Sequence, residues 1–452
     1  MSNTEPHLER RLGLTDSTSL VIGTIIGTGI FFKAAIMTQE VGTPALVLWA
    51  WIAAGILSLT GALAYAELGI LFPHAGGDYV YLRHAYGELP AFLYGWQRFW
   101  IGSPGSIAAF GVGAASFAAQ LFDVKVIGGQ PTVAIALIGI FTLLNCLTVS
   151  FGGHLQSGMT ILKVMMMIFL FGGLFFFSSH GSFHHFTPET HSAFPGWSAF
   201  SAAMLAALWA YDGWNNLPMV AGEIKNPSRN IPMALGLGMV VVIFIYGIMN
   251  VGYFFAIPTQ EIAQAYSKLN PQSLPVATVA AKSFLGENGV WFLSLALVLS
   301  AVGAMNGSIL TGARVPFAMA KDNLFPKALA KIHPRTHVPM VSILVQGVWS
   351  CVLALSGTFD QLTDYVIFWA WVFYALTTFS LFIFRKRLPA ADRPYKAFGY
   401  PWLPAIFLLA AVALLVNTFL SSPRDTLWGV LILISGIPFY YWFKRGSGKV
   451  SF

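Results

Sequence analysis

Two interrupted apolar stretches hold the residues best suited to chemistry. The first is Gly23-Thr24-Ile25-Ile26-Gly27-Thr28-Gly29-Ile30-Phe31. Each glycine weakens a helix by about 1 kcal/mol relative to alanine, so this spacing predicts an unwound turn. Backbone freed inside an apolar surround must line a cavity or meet a ligand. The half-helix that resumes after the turn would aim N–H groups and a positive dipole end at an anion, such as a carboxylate. Glycines four apart also form a helix-packing face, and both readings stand. The second stretch is Ala210-Tyr211-Asp212-Gly213-Trp214-Asn215-Asn216. An acid inside an apolar run is costly and marks either a functional group or a prop for an unwound turn. Trp209, one residue earlier, is large enough to cover a ligand, or it simply packs.

Lys163 lies in the apolar run from Met159 to Phe177, with no acid nearby in the run. A buried ammonium needs partners, and unwound carbonyls of the first stretch would serve. It would then be a fixed charge standing where a coupling cation could sit; the alternative is snorkelling to the interface. Glu67, Glu223 and Arg98 read as gate or interface ion-pair residues. His180, His184, His185 and His191 read as a solvated loop rather than a metal site. No phosphate-binding glycine loop, HExxH or GxSxG is present, so neither an ATP-driven pump nor a hydrolase is supported, and no cofactor is expected.

These residues sit in a chain of 452 with only 25 Lys and Arg and 18 Asp and Glu, while hydrophobic residues make up 56%. Ordinary soluble domains carry roughly 25% charge. The composition excludes disordered and cytosolic classes and predicts an all-α polytopic membrane protein in a lipid bilayer. Spans of about 20 residues are expected near 17–39, 45–71, 88–121, 131–150, 158–178, 197–222, 232–257, 284–319, 339–356, 361–384, 401–420 and 426–443. The stretch after Asp16 is too long and Gly-broken for a cleaved signal, and reads as a retained first helix. The net charge of +7 does not point to nucleic acid, because the basic residues sit in short loops. Arg10, Arg11, Arg83, Lys225, Lys321, Lys327, Arg385, Lys386, Lys444 and others fall on one side, and only Lys125, Lys268, Lys282 and Arg424 on the other. The positive-inside rule then sets both termini in the cytoplasm. The two glycine-broken spans are the first and the sixth, five places apart. That is the pattern of inverted repeats whose broken helices meet at a midplane site. The expected organisation is a tail over 1–16, repeats over 17–178 and 197–384, two more helices over 385–443, and a tail over 444–452.

Ile25-Ile26-Gly27-Thr28-Gly29-Ile30-Phe31 resembles the first-helix signature of the amino acid–polyamine–organocation superfamily. Pro73, Gly76-Gly77-Asp78-Tyr79 and Tyr86-Gly87 resemble its second-to-third helix connection. Leu208-Trp209-Ala210-Tyr211-Asp212-Gly213-Trp214-Asn215, with Gly222-Glu223-Ile224-Lys225-Asn226-Pro227 and Arg229-Asn230-Ile231-Pro232, resembles its L-type amino acid transporter branch. The resemblance implies a five-plus-five inverted repeat of twelve helices, broken at helices 1 and 6, with an amino acid bound between them. It implies that the backbone at Thr28 and Gly29 holds the α-carboxylate. The carbonyls of Ile25, Trp209 and Asp212 would hold the α-ammonium, with Asn215 beside them and Trp209 as the gate. Lys163 matches a lysine that replaces the second sodium site in sodium-independent relatives, and Ser300 is a plausible partner. Animal light chains of this branch carry a cysteine after helix three that bonds a heavy chain. The stretch 123–130 has none, so the chain resembles prokaryotic members and no disulfide-linked partner is expected. The reading is a sodium-independent transporter of neutral amino acids in the inner (plasma) membrane, an exchanger working by alternating access. Proton coupling in the same fold, or an amino acid sensor, are the alternatives.

Overall fold

The computed structural model describes residues 7–187, 194–267, 269–270, 273–356, 359–421 and 423–447. His191 and Lys268, weighed above, lie outside them. The described elements are helical, with one isolated bridge pair, Leu12–Ile224. In chain order they are α1 (Leu14–Ile25), α2 (Gly29–Val41), α3 (Pro44–Leu71), α4 (Asp78–Tyr86), α5 (Glu88–Gln97), α6 (Ser103–Ala118), α7 (Gly129–Asn145), α8 (Val149–Phe176) and α9 (Trp197–Ala210). They continue as α10 (Pro227–Ala256), α11 (Thr259–Gln264), α12 (Val276–Leu285), α13 (Asn288–Gly312), α14 (Arg314–Lys321), α15 (Met340–Ser356), α16 (Phe359–Arg387), α17 (Trp402–Ser421) and α18 (Pro423–Ser447).

Among the described residues, five helical runs are long and apolar enough to cross a bilayer: α3, Glu88–Ala118, α8, α10 and Asn288–Lys321. The pair α1 and α2 adds a sixth as a span bent by 42° at its break. The apolar helices α7, α12 and α15 are shorter. The stretch expected as a span over 197–222 is α9 followed by a 3-10 helix, Trp214–Glu223. Sequence hydropathy sees the apolar composition of both pieces and not the change in winding between them. It also overlooks α12, which lies in a stretch read as loop.

Local chemistry accounts for where the elements start. Thr43 caps α3 by accepting the Leu46 N–H at 3.4 Å, with Pro44 at the first helical position. Thr148 caps α8 through the Phe151 N–H at 3.1 Å. Asn226, in the left-handed region, turns the chain into α10 ahead of Pro227. α1 packs between α8 and α10, α2 packs on α9, and α6 packs on α13.

Ion pairs hold one end of the bundle. Glu223 and Arg314 are fully buried and meet in a two-pronged pair, Nε–Oε1 at 2.7 Å and Nη2–Oε2 at 2.9 Å. The Glu223 carbonyl also accepts the N–H groups of Arg11 and Leu12 at 2.9 and 3.0 Å, and the Lys225 N–H returns to the Leu12 carbonyl at 2.8 Å. The chain's early residues are thereby strapped to the end of the 3-10 helix. Glu67 is likewise buried and accepts from Arg385 at 2.7 Å and from the Ala397 N–H at 2.7 Å, with Arg393 Nε at 3.1 Å.

Removing one partner of a buried pair leaves an uncompensated charge and costs about 3–5 kcal/mol, whereas replacing both partners can be neutral. Arg314→Leu should therefore lower the apparent melting temperature of the detergent-purified protein sharply. The Arg314→Leu/Glu223→Leu double variant should recover most of the loss in the same thermal scan.

Candidate functional site

The first break begins where α1 runs out. Ile26 leaves the helix with ψ 84°, and the Gly27 N–H folds back to the Ile25 carbonyl at 2.7 Å. α2 restarts at Gly29 with Thr28 at its cap. The N–H groups of Thr28, Gly29 and Ile30 find no acceptor among the described residues. The buried Thr28 hydroxyl is also unpartnered there. Orphan donors at a helix start are the usual makings of an anion site.

The second break faces the first. α9 ends at Ala210, and Gly213 takes φ +124° before the 3-10 helix begins. A Cβ on Gly213 would stand 2.9 Å from the Thr24 carbonyl carbon and oxygen. Glycine is needed there for its backbone angle and for the close approach. Thr24 Oγ1 lies 3.1 Å from the Gly213 carbonyl and 2.7 Å from that of Leu20, so its one hydrogen is shared between the contact and its own helix. Gly29 sits equally close to the other side, where a Cβ would lie 2.7 Å from the Ala210 Cβ. The packing reading and the open-break reading of these glycines therefore hold together.

Ile25, Thr28, Gly29, Trp209, Asp212 and Asn215, the expected substrate residues, line one cavity. Arg98, Ser103, Ser106, Phe110, Asn216, Ser308 and Tyr374 complete most of its wall. Donors of the first break and carbonyls of the second thus border the same space. Asp212 accepts the Tyr374 hydroxyl at 2.7 Å. The Ile25 carbonyl accepts the Gly27 N–H and lies 3.1 Å from Tyr246 Oη, which also lies 3.0 Å from the Ala210 carbonyl. With the Tyr246 hydrogen turned to Ala210, the Ile25 carbonyl keeps one lone pair for a ligand.

Lys163 and Ser300 do not line the cavity; they stand behind the first break. The Lys163 ammonium is buried and donates to the Gly23 carbonyl at 3.0 Å and to that of Ile26. It does not snorkel. Ser300 Oγ lies 3.1 Å from the Ile26 carbonyl and 3.0 Å from that of Gly27. Tyr246, Tyr374 and Lys33 are site residues that the sequence reading passed over. Lys33 lies over the Trp209 ring, 4.3 Å from its centre. An intramembrane lysine one turn past the glycines was a usable signal; the two tyrosines gave none, since neutral phenols are common in apolar spans. Arg98 departs from expectation. It forms no ion pair among the described residues and reaches only Asn216 Oδ1 and Met219 Sδ, each at 3.5 Å. His185 of the outer histidines is spent on the Phe255 carbonyl at 3.1 Å.

Residues 12–443 match the amino acid permease family. The chain belongs to that family. The serine/threonine exchanger SteT of Bacillus subtilis (strain 168) is 32% identical to this permease over 442 residues, covering 97% of this chain and 98% of its own. The human b(0,+)-type amino acid transporter 1 is 32% identical, covering 96% and 88%. The human cystine/glutamate transporter is 28% identical, covering 100% and 92%. The chain is thus an integral membrane amino acid transporter of the amino acid–polyamine–organocation superfamily, related to its L-type branch, and not an enzyme.

Two outcomes follow for this permease. Lys163→Met removes the donor to two unwound carbonyls, each costing about 1–3 kcal/mol when left unpaired. Transport should fall at least tenfold in liposomes, with Lys163→Arg restoring no more than part of it. Trp209→Ala should weaken substrate affinity and slow exchange together, while Trp209→Phe should be partly tolerated. Scintillation proximity binding on folded variants checks this; unchanged affinity in Trp209→Ala would leave Trp209 a packing residue.

Proposed function

We propose that this permease is a sodium-independent exchanger of L-amino acids, neutral ones among its substrates, working by alternating access. The observation that carries the reading is the pairing of the two breaks around one cavity. Unpartnered N–H groups at Thr28, Gly29 and Ile30 suit an α-carboxylate, and the carbonyls of Ile25, Trp209 and Asp212 suit an α-ammonium. Trp209 serves as the gate, its ring shared by Lys33. Asn215 borders the ammonium end.

Sodium independence rests on Lys163. Its ammonium is hydrogen-bonded to the carbonyls of the first break, with Ser300 beside it. A sodium ion at the same carbonyls would face a fixed like charge and lose its ligands. The bundle suited to this mechanism has twelve spans in a five-plus-five inverted repeat over 17–178 and 197–384, with both termini cytoplasmic. The two breaks lie in spans one and six, where such a repeat would put them. Cys146 and Cys351 are free, and neither belongs to the loop over 123–130, in keeping with a permease that needs no disulfide-linked heavy chain. The names of the relatives range from serine/threonine to cystine/glutamate, which fits a permease whose breaks hold the common backbone and whose side-chain end sets the preference.

Purified protein in liposomes tests the reading. Vesicles loaded with unlabelled serine should take up labelled serine much faster than empty ones. Replacing sodium by choline should leave the rate unchanged; a collapse of uptake would count against the assignment of Lys163. A site that holds both polar ends discriminates strongly against analogues lacking either. Serine amide and N-acetylserine should therefore compete poorly, and an amide that competes as well as serine would refute the carboxylate role of Thr28 and Gly29.

A further inference from the structure

Arg98 is the charged wall residue of the cavity that the zwitterion reading does not use. It opens a five-residue π-helix, Arg98–Gly102, between α5 and α6, where the Ser103 N–H returns to the Arg98 carbonyl. Single π-turns widen a helix and occur often at functional sites. This one interrupts the helix beside the cavity, whose wall takes in both Arg98 and Ser103.

A guanidinium has five N–H donors in a planar fork. Among the described residues only Nη2 has hydrogen-bond partners, Asn216 Oδ1 and Met219 Sδ, each at 3.5 Å, and the buried Nε has none. The nearby acids do not supply one. Asp212 is engaged by the Tyr374 hydroxyl, and Asp78 by the hydroxyls of Tyr65 and Tyr94. No carboxylate lies within 4 Å of Arg98 among the described residues. The same wall carries Ser103, Ser106, Asn216 and Ser308, beside the apolar Ala109, Phe110 and Ala370. Its polar groups disfavour an apolar side chain, because burying them unpaired is costly.

We infer that Arg98 is a specificity-determining residue, and that the side-chain end of the cavity takes amino acids bearing a second carboxylate in preference to their uncharged amides. The inference rests on the reading that the two helix breaks hold the backbone of an amino acid. A carboxylate would meet the guanidinium fork with two parallel bonds between opposite charges, whereas an amide offers one acceptor oxygen and an NH2 group that an all-donor guanidinium cannot use.

Aspartate against asparagine, and glutamate against glutamine, isolate this charge at nearly constant shape. Each is tested as a competitor of serine exchange in liposomes. In the wild-type permease each acid should compete at least about tenfold better than its amide, a gap of about 1.4 kcal/mol. Arg98→Gln should collapse that ratio towards one, and Arg98→Lys should keep part of it. An amide that competes as well as its acid in the wild type, while serine exchanges normally, overturns the role of Arg98. So does an acid preference that survives Arg98→Gln in folded protein. A failure of serine itself to exchange would instead strike the reading of the previous subsection.

Discussion

A peptide group that leaves a helix inside an apolar bundle keeps its hydrogen-bonding demand and loses its partners. Most of what is distinctive in this permease answers that demand at two places, Ile26–Thr28 and Tyr211–Gly213. The glycines let the breaks approach within contact, so that Thr24 of one can reach the Gly213 carbonyl of the other. Lys163 and Ser300 satisfy carbonyls on the far side of the first break. What they leave unsatisfied faces the cavity. Behind Lys163 the support continues as a buried polar chain, in which Asn145 bonds Asn306 and Asn306 bonds Gln156, both at 2.8 Å. The site is therefore built less from side chains chosen for a ligand than from backbone whose ordinary partners have been withdrawn.

That origin explains what could be read from the sequence. Glycine clusters and an acid inside apolar runs are visible without coordinates, because each breaks a rule that lipid imposes. Thr28, Gly29, Trp209 and Asp212 stand in or beside those clusters, the family resemblance adds Ile25 and Asn215 and the substrate roles, and all six border one cavity. Lys163 could be named because a lone cation in an apolar run has few solutions. Tyr246 and Tyr374 could not, since a phenol costs little in a span and signals nothing until its hydroxyl is seen to end on a carbonyl or on Asp212. Arg98 was visible as a charge, but its pairing was misjudged. Charge near a helix start suggests an ion pair, and only the fold reveals that Asp78 and Asp212 are claimed by tyrosines.

The fold was legible at the level of helices and less so within them. Hydropathy marks where apolar chain lies and is blind to how tightly it winds. The 3-10 turn sequence from Trp214 to Glu223 and the π-turn at Arg98 each keep the apolar composition of a span while altering its pitch. Both departures border the cavity, where a regular α-helix would have offered a smooth wall and no gaps. The far end of the 3-10 helix is anchored by Arg314 and by the strap of Arg11 and Leu12, so the altered winding is bounded by fixed contacts.

The Tyr246 hydroxyl carries a single hydrogen, yet it lies within bonding distance of two carbonyls, Ile25 on one break and Ala210 on the other. Ser300 repeats the arrangement with Ile26 and Gly27. A hydroxyl serves one carbonyl at a time, and in each pair one carbonyl has another donor, the Gly27 N–H at Ile25 and the Lys163 ammonium at Ile26. The Tyr246 hydrogen is therefore left for Ala210 and the Ser300 hydrogen for Gly27, so each break owes one carbonyl to a side chain from another helix. Tyr246 is then a latch on the second break: any motion that carries α10 away from α9 strips the Ala210 carbonyl of its hydrogen.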